Sequence, residues 1–175
     1  MTDETQVTGR SLVRDLMTVG VPTCPPDTRL VDLVRLMLEK NWEAVVVLDG
    51  EEGHAIGIFS QDELVKAYLR EEARSLKVED IMREGVPQIP PDVPLMVAAQ
   101  LMLDQHVRAF FLMHNAAGVT YPAAMITYRH LMRHLAAQSD DDLKDMGITA
   151  VRKAPLEQFI ERRDAAKRAA DNRRK

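Results

Sequence analysis

Val13-Arg14-Asp15-Leu16-Met17 and, 65 residues later, Val78-Glu79-Asp80-Ile81-Met82 open two stretches that keep one register for more than thirty residues. Gly20-Val21-Pro22 meets Gly85-Val86-Pro87, and Pro25-Pro26-Asp27 meets Pro90-Pro91-Asp92. Leu30 meets Leu95, Leu36-Met37-Leu38 meets Leu101-Met102-Leu103, and Ala44 meets Ala109. Fourteen of the 32 positions from Val13 to Ala44 are identical, where composition alone would give roughly two. Further on the offset becomes 67, so that Phe59-Ser60 meets Ile126-Thr127. Two extra residues in the second copy's turn account for the change. The chain is an internal duplication.

Both copies read alike. A short extended piece, Val21-Pro22-Thr23-Cys24 or Val86-Pro87-Gln88-Ile89, stops at Pro-Pro, which bars helix and imposes a turn. Asp27-Thr28 and Asp92 are placed to cap a helix. Leu30, Leu33, Val34, Met37 and Leu38 recur at helical spacing and predict one buried face. The apolar strand Ala44 to Leu48, or Ala109 to Met113, comes next. A turn follows, Asp49 to Gly53 or His114 to Gly118. A second strand, Ala55 to Phe59 or Ala123 to Ile126, then runs through Ser60 or Thr127 into a further helix. The unit is strand, helix, strand, strand, helix. One such unit of about sixty residues has a thin core, and packing two sheet against sheet relieves both.

The duplication occupies most of 175 residues, of which 46% are hydrophobic and 29% charged, an ordinary globular composition. The apolar runs have strand length and are too short to cross a bilayer. The N-terminus Met1-Thr2-Asp3-Glu4-Thr5 is acidic and polar, so no signal peptide is expected. A single cysteine, Cys24, excludes an internal disulfide and any multi-cysteine metal site. A reducing cytoplasm is the expected compartment. The net charge of −4 hides an asymmetry, because residues 152–175 carry nine Lys/Arg against four Asp/Glu. An acidic body with a basic tail does not describe a nucleic-acid binder.

The order of elements and these residues resemble the CBS domain, which occurs as tandem pairs called Bateman modules. The resemblance spans roughly Val13 to Ala136 and is carried by several features together. They are the Asp-Leu-Met and Asp-Ile-Met openers, the Pro-Pro-Asp before a Leu-rich helix, and the strand Val45-Val46-Val47-Leu48-Asp49. The strongest is Gly57-Ile58-Phe59-Ser60-Gln61-Asp62-Glu63-Leu64, similar to the family's Gly-Ile-x-Ser/Thr-x-x-Asp-Leu pattern. The resemblance implies an α/β (α+β) fold, two βαββα repeats packed with pseudo-twofold symmetry, followed here by a C-terminal helical extension. The divisions expected are an N-terminal tail over 1–12, repeats over 13–76 and 77–138, and the extension over 139–175.

It also implies a regulatory module rather than an enzyme, with no catalytic residues and no metal site. Family members bind AMP, ADP, ATP, S-adenosylmethionine or sometimes NAD in two clefts. The base packs against the opening strands, which points to Thr23 and Cys24 in one copy and Gln88 and Ile89 in the other. The Ser/Thr sits where free helix N–H groups favour phosphate, and the Asp of the pattern holds the ribose hydroxyls. In the first copy these positions are Ser60 and Glu63, with Asp62 beside them and Glu43 at the family's basic position. A cleft edged by Glu43, Asp62 and Glu63 repels phosphate unless Mg2+ intervenes, and suits a neutral or cationic adenosyl ligand. Read otherwise, these acids are solvated first-turn residues. In the second copy Thr127 keeps the hydroxyl, His130 takes the ribose position and Arg108 the basic one. That cleft reads as an anion site with a weakened ribose clamp, or as arginines paired with the body's carboxylates.

Cys24 reads as a structural thiol, and His130 with His134 lacks the further ligands a metal needs. In the extension, Ser139 to Asp142 is placed to cap a short helix, Leu143 to Met146, and Pro155 to open a last one with Leu156, Phe159 and Ile160 on one stripe. The expectation is a homodimer that senses an adenosyl ligand and signals to an effector protein in trans. The rival is a ligand-independent dimeric scaffold presenting the basic C-terminal helix.

Overall fold

The register of the repeat returns as topology. The computed structural model describes residues 11–50, 53–116 and 118–137. The helices expected after Gln138 lie outside the described residues. Among the described residues five α-helices and seven strands follow in order: α1 (Val13–Leu16), β1 (Thr18–Val19), β2 (Thr23–Cys24), α2 (Leu30–Lys40), β3 (Ala44–Leu48), β4 (Ala55–Ser60) and α3 (Gln61–Ala67). After a 3-10 turn, Val78–Asp80, come β5 (Arg83–Glu84), α4 (Leu95–Asp104), β6 (Ala109–Ala116), β7 (Val119–Thr127) and α5 (Tyr128–Ala136).

One sheet runs β2-β3-β4-β5 and the other β1-β7-β6. Each therefore ends in a strand lent by the other copy. Thr18 and Val19 pair with Met125 and Ala124 of β7, while Arg83 and Glu84 pair with Ile58 and Gly57 of β4. The backbone hydrogen bonds of the two openers repeat the exchange. Val13 N–H donates to the Val93 carbonyl and Arg14 N–H to that of Pro91. In the counterpart, Val78 N–H donates to the Thr28 carbonyl and Glu79 N–H to that of Pro26. All four donor and acceptor positions are related by the 65-residue offset, so the duplication has become a pseudo-twofold axis.

Three cores result. Val13, Leu16 and Met17 are buried with Ile89, Leu95, Ala98, Met102 and Phe110 in the second copy. Val78, with Ile81 and Met82 packed against it, joins Leu30, Leu33, Met37 and Phe59 in the first. The third lies between the sheets, where Val46 and Ile58 meet Phe111 and Met125. Alternation explains the split: Val45 and Val47 face the helices, and Ala44 and Val46 face the seam. Among the described residues, the fully buried phenylalanines Phe59, Phe110 and Phe111 contribute about 2–3 kcal/mol each by removal from water.

Local expectations fare unevenly. Both Pro-Pro turns form, and the helices after them bury the same face, Leu30, Leu33 and Met37 in α2 and Leu95, Ala98 and Met102 in α4. Leu38 is instead exposed, because eight residues rotate it about 80° away from Leu30. The caps do not form: α2 begins after Arg29 and α4 after Pro94, neither with a side-chain cap. Thr28 Oγ1 donates to the Pro25 carbonyl, 2.8 Å away, and Asp92 is turned to Arg14. Both helices close on a left-handed residue at the same repeat position, Asn41 (φ 56°) and His106 (φ 51°). The second hairpin exceeds its expected length, because β6 continues to Ala116 and pairs with Val119.

Candidate functional site

Strand β4 delivers Ser60 to the start of α3, where local hydrogen bonding is complete. Ser60 N–H donates to Glu63 Oε2 (3.0 Å), Ser60 Oγ donates to the same oxygen (2.5 Å), and Asp62 N–H donates to Ser60 Oγ (3.3 Å). This is a capping box, the use that Ser-x-x-Glu has at a helix start. Glu63 is 2% exposed, and its other oxygen accepts from Lys66 Nζ at 3.3 Å.

Against this helix start stands the other copy. Arg108, just ahead of β6, donates from Nε to Asp62 Oδ1 at 2.7 Å. Its guanidinium carbon lies 5.9 Å from the centre of the Tyr128 ring, within cation–π range. Between them opens a cavity of about 370 Å3 lined by Ser60, Asp62, Glu63, Lys66, Arg83 and Arg108, with His106 and apolar Ile58, Val65, Val107 and Ala109 completing the wall. Arg83 donates to the carbonyls of His106 (3.2 Å) and Gln105 (3.5 Å) beyond the end of α4. Three basic side chains thus face two acidic ones. The volume lies in the range of small-molecule sites.

The grouping expected from sequence is crossed in the structure. Arg108 serves Ser60 and Asp62 of the first copy, and Glu43 serves Thr127 of the second. The exchange across the pseudo-twofold axis is the reason: the segment before each middle strand faces the other copy's second-strand exit. Glu43 does not join Asp62 and Glu63 at this cavity, and the repulsion expected of the carboxylates there is offset by Arg108.

The pseudo-equivalent seam is occupied by its own side chains. Thr127 Oγ1 donates to Glu43 Oε2. Thr127 N–H donates to His130 Nδ1 at 2.9 Å, so Nδ1 carries the lone pair and Nε2–H donates to Thr18 Oγ1 at 2.6 Å. His130 is 4% exposed. Burial first, then the charges of Arg133 and Arg129, lower its pKa to about 4. Both ring nitrogens are engaged, so the single ribose hydrogen bond expected of His130 has no free acceptor behind it.

The opening strands take their places without reaching the cavity. Thr23 pairs with Val46 and Cys24 with Val47, and Gln88 bridges to Phe111. Cys24 is buried beside Leu30 and Leu33, where desolvation raises its pKa to about 11 despite a hydrogen bond with Thr28, so the thiol stays protonated. Ile89 lies in the second core. Arg83, Lys66 and His106 line the cavity without having been marked by any sequence motif. Among the described residues, no cluster of three or more His, Cys, Asp or Glu is arranged for a metal, and no helix is long and apolar enough to cross a membrane.

Fold and seam define a tandem α+β repeat with a ligand-sized cavity where the two halves cross. The family model for the CBS domain matches twice, over residues 13–70 and 78–137, and the chain belongs to the CBS domain family as a tandem pair. Solved structures agree on the fold. The CBS-domain containing protein ATU1752 from Agrobacterium tumefaciens superposes with a TM-score of 0.63 at 21% identity, over 77% of this chain and 98% of that one. The CBS domain pair of protein MJ0100, in complex with 5′-methylthioadenosine and S-adenosyl-L-methionine, gives 0.59 at 19% identity, over 71% and 99%. CBSX2 in complex with AMP gives 0.56 at 22% identity, over 73% and 97%. No curated protein matches the chain.

Proposed function

We propose that this chain is a regulatory module, not an enzyme, that binds an adenosine-containing ligand bearing phosphate in the cavity between Ser60 and Arg108. The observation that carries the reading is the charge of that cavity: Lys66, Arg83 and Arg108 against Asp62 and Glu63. Arg83 hydrogen-bonds to carbonyl oxygens, so its charge adds to the field an anion meets. AMP, ADP or ATP therefore suits the cavity better than the cationic S-adenosylmethionine. That ligands of this class occur on the fold is supported by the CBSX2 complex with AMP and the MJ0100 complex with two adenosyl compounds.

The module acts in the cytoplasm as a homodimer and signals in trans to an effector protein. Val65 on α3 and Tyr68 at its end, and their counterparts Met132 and Leu135 on α5, are 66–84% exposed, apolar surface that a second copy would cover. A ligand-independent dimeric scaffold is the second reading, favoured by the self-occupied seam at Thr127.

Thermal shift with AMP, ADP, ATP, S-adenosylmethionine and NAD, with and without Mg2+, separates the two. The expected result is a raised midpoint for the nucleotides, and no shift with any compound at millimolar concentration leaves the scaffold. Arg108→Ala should weaken AMP and ATP about tenfold by loss of a charge-assisted contact and spare adenosine. Equal loss for all three would remove Arg108 from the phosphate role.

A further inference from the structure

The geometry points to Asp62 as the residue that sets which ligands the cavity accepts, a built-in competitor for Arg108. The inference rests on the reading of this cavity as the site of a phosphate-bearing ligand, and it names the residue that tunes it. Arg108 and Asp62 are 46 positions apart in sequence and belong to different copies, yet their side chains meet at 2.7 Å on the cavity wall. Neither is sealed away: the side chains are 47% and 35% exposed, so an incoming group can reach the pair. The other cations are committed differently. Lys66 is bonded to the buried Glu63, and Arg83 is anchored to two backbone carbonyls.

Asp62 has no part in positioning Glu63 or Ser60 through its side chain. Only its backbone N–H enters the capping box, and its carboxylate is spent on Arg108. A carboxylate there does what a ligand's anion would do: it accepts a charge-assisted hydrogen bond from the guanidinium. A phosphate arriving beside Arg108 must displace that carboxylate or tolerate it as a like charge. Either way Asp62 penalises anionic ligands and leaves an uncharged nucleoside almost untouched. Where the carboxylate stays in place the penalty grows with the ligand's negative charge, because like-charge repulsion scales with the product of the two charges. Asp62 thus biases the cavity against anionic ligands relative to the uncharged nucleoside.

The test measures dissociation constants of AMP and adenosine by calorimetry on the full chain, for wild type, Asp62→Asn, Arg108→Gln and the double variant. Asp62→Asn should tighten AMP on the order of tenfold while adenosine changes less than about twofold. In the Arg108→Gln background the gain from Asp62→Asn should shrink, because the competition it relieves is gone. AMP binding detectable in Asp62→Asn but not in wild type also supports the inference. If AMP and adenosine shift together, or AMP does not shift while wild type binds it, the role of Asp62 is overturned and the cavity reading stands. If neither wild type nor Asp62→Asn binds either compound at millimolar concentration, both fall. Asp62→Glu, which keeps the carboxylate, should behave as wild type, and circular dichroism of each variant confirms folding.

Discussion

The two seams of this molecule are built from corresponding positions and end in opposite states. Ser60 corresponds to Thr127, Glu63 to His130, Arg108 to Glu43 and Arg83 to Thr18. In each, the third residue after the hydroxyl turns back to cap its own helix, Glu63 on Ser60 and His130 on Thr127. The difference lies in what crosses the axis. Arg108 is long and charged, meets Asp62 at the rim and leaves a cavity of about 370 Å3. Glu43 reaches the Thr127 hydroxyl, and with His130 and Thr18 it forms one chain of hydrogen bonds. A duplicated fold thus offers two sites by symmetry, and a few charge reversals decide which remains available to a ligand.

The largest expected effect tests what holds the open seam. A Cβ on Gly57 would lie 2.5 Å from the Arg83 carbonyl oxygen, whereas the corresponding residue of β7, Ala124, carries one beside Val19. Gly57→Val should cost about 3 kcal/mol and displace β5, and with it Arg83. Denaturant unfolding measures the loss, and a cost below about 1 kcal/mol would mean that the strand exchange is not tightly packed there.

Next is pH, which distinguishes the closed seam. The folded pKa of His130, about 4, lies below its unfolded value of 6.5. Between these values the unfolded chain binds the extra proton, so this contribution is present above pH 6.5 and is lost as pH falls toward 4. It amounts to roughly 3 kcal/mol at most. His130→Gln keeps an acceptor for the Thr127 N–H, and its stability should fall less steeply than wild type across that window. Parallel curves would show that His130 is not held neutral by the seam.

The smallest effect compares the carboxylates. Glu43→Ala leaves the buried Thr127 hydroxyl only His130 Nδ1, 3.0 Å away and already shared with the Thr127 N–H, and should cost about 1–2 kcal/mol. Asp62→Asn breaks a half-exposed pair and should cost less than about 0.5 kcal/mol in the absence of ligand. Equal losses would erase the distinction between a seam closed on itself and one open to exchange.

Much of this was legible in the chain. The 65-residue offset, the Pro-Pro turns and the apolar spacing of Leu30, Leu33 and Met37 predict the unit and its order, because each reflects a local backbone preference or a short period. The helix caps misled, since Thr28 and Asp92 have partners nearer than the helix N-terminus: Thr28 turns to Pro25, and Asp92 to an arginine of the other copy. The site residues Ser60, Asp62, Glu63 and Arg108 were legible one by one, but the cleft to which each belongs was not. Arg83 carried no motif at all.

By itself the sequence determined the duplication, the helices and strands of each half, and the hydroxyl at each helix start with Glu63 or His130 three residues on. Periodicity and turn chemistry act over a few residues and can be read along the chain. Only the tertiary structure decided that Val13 to Val19 and Val78 to Glu84 change places, that Arg108 faces Asp62, and that Glu43 closes on Thr127. Two-residue strands such as β1 and β5 have too little local preference to select a sheet. Their partners are set by the burial of Val13, Leu16 and Val78 in the opposite core, a long-range energy that no short window of sequence contains.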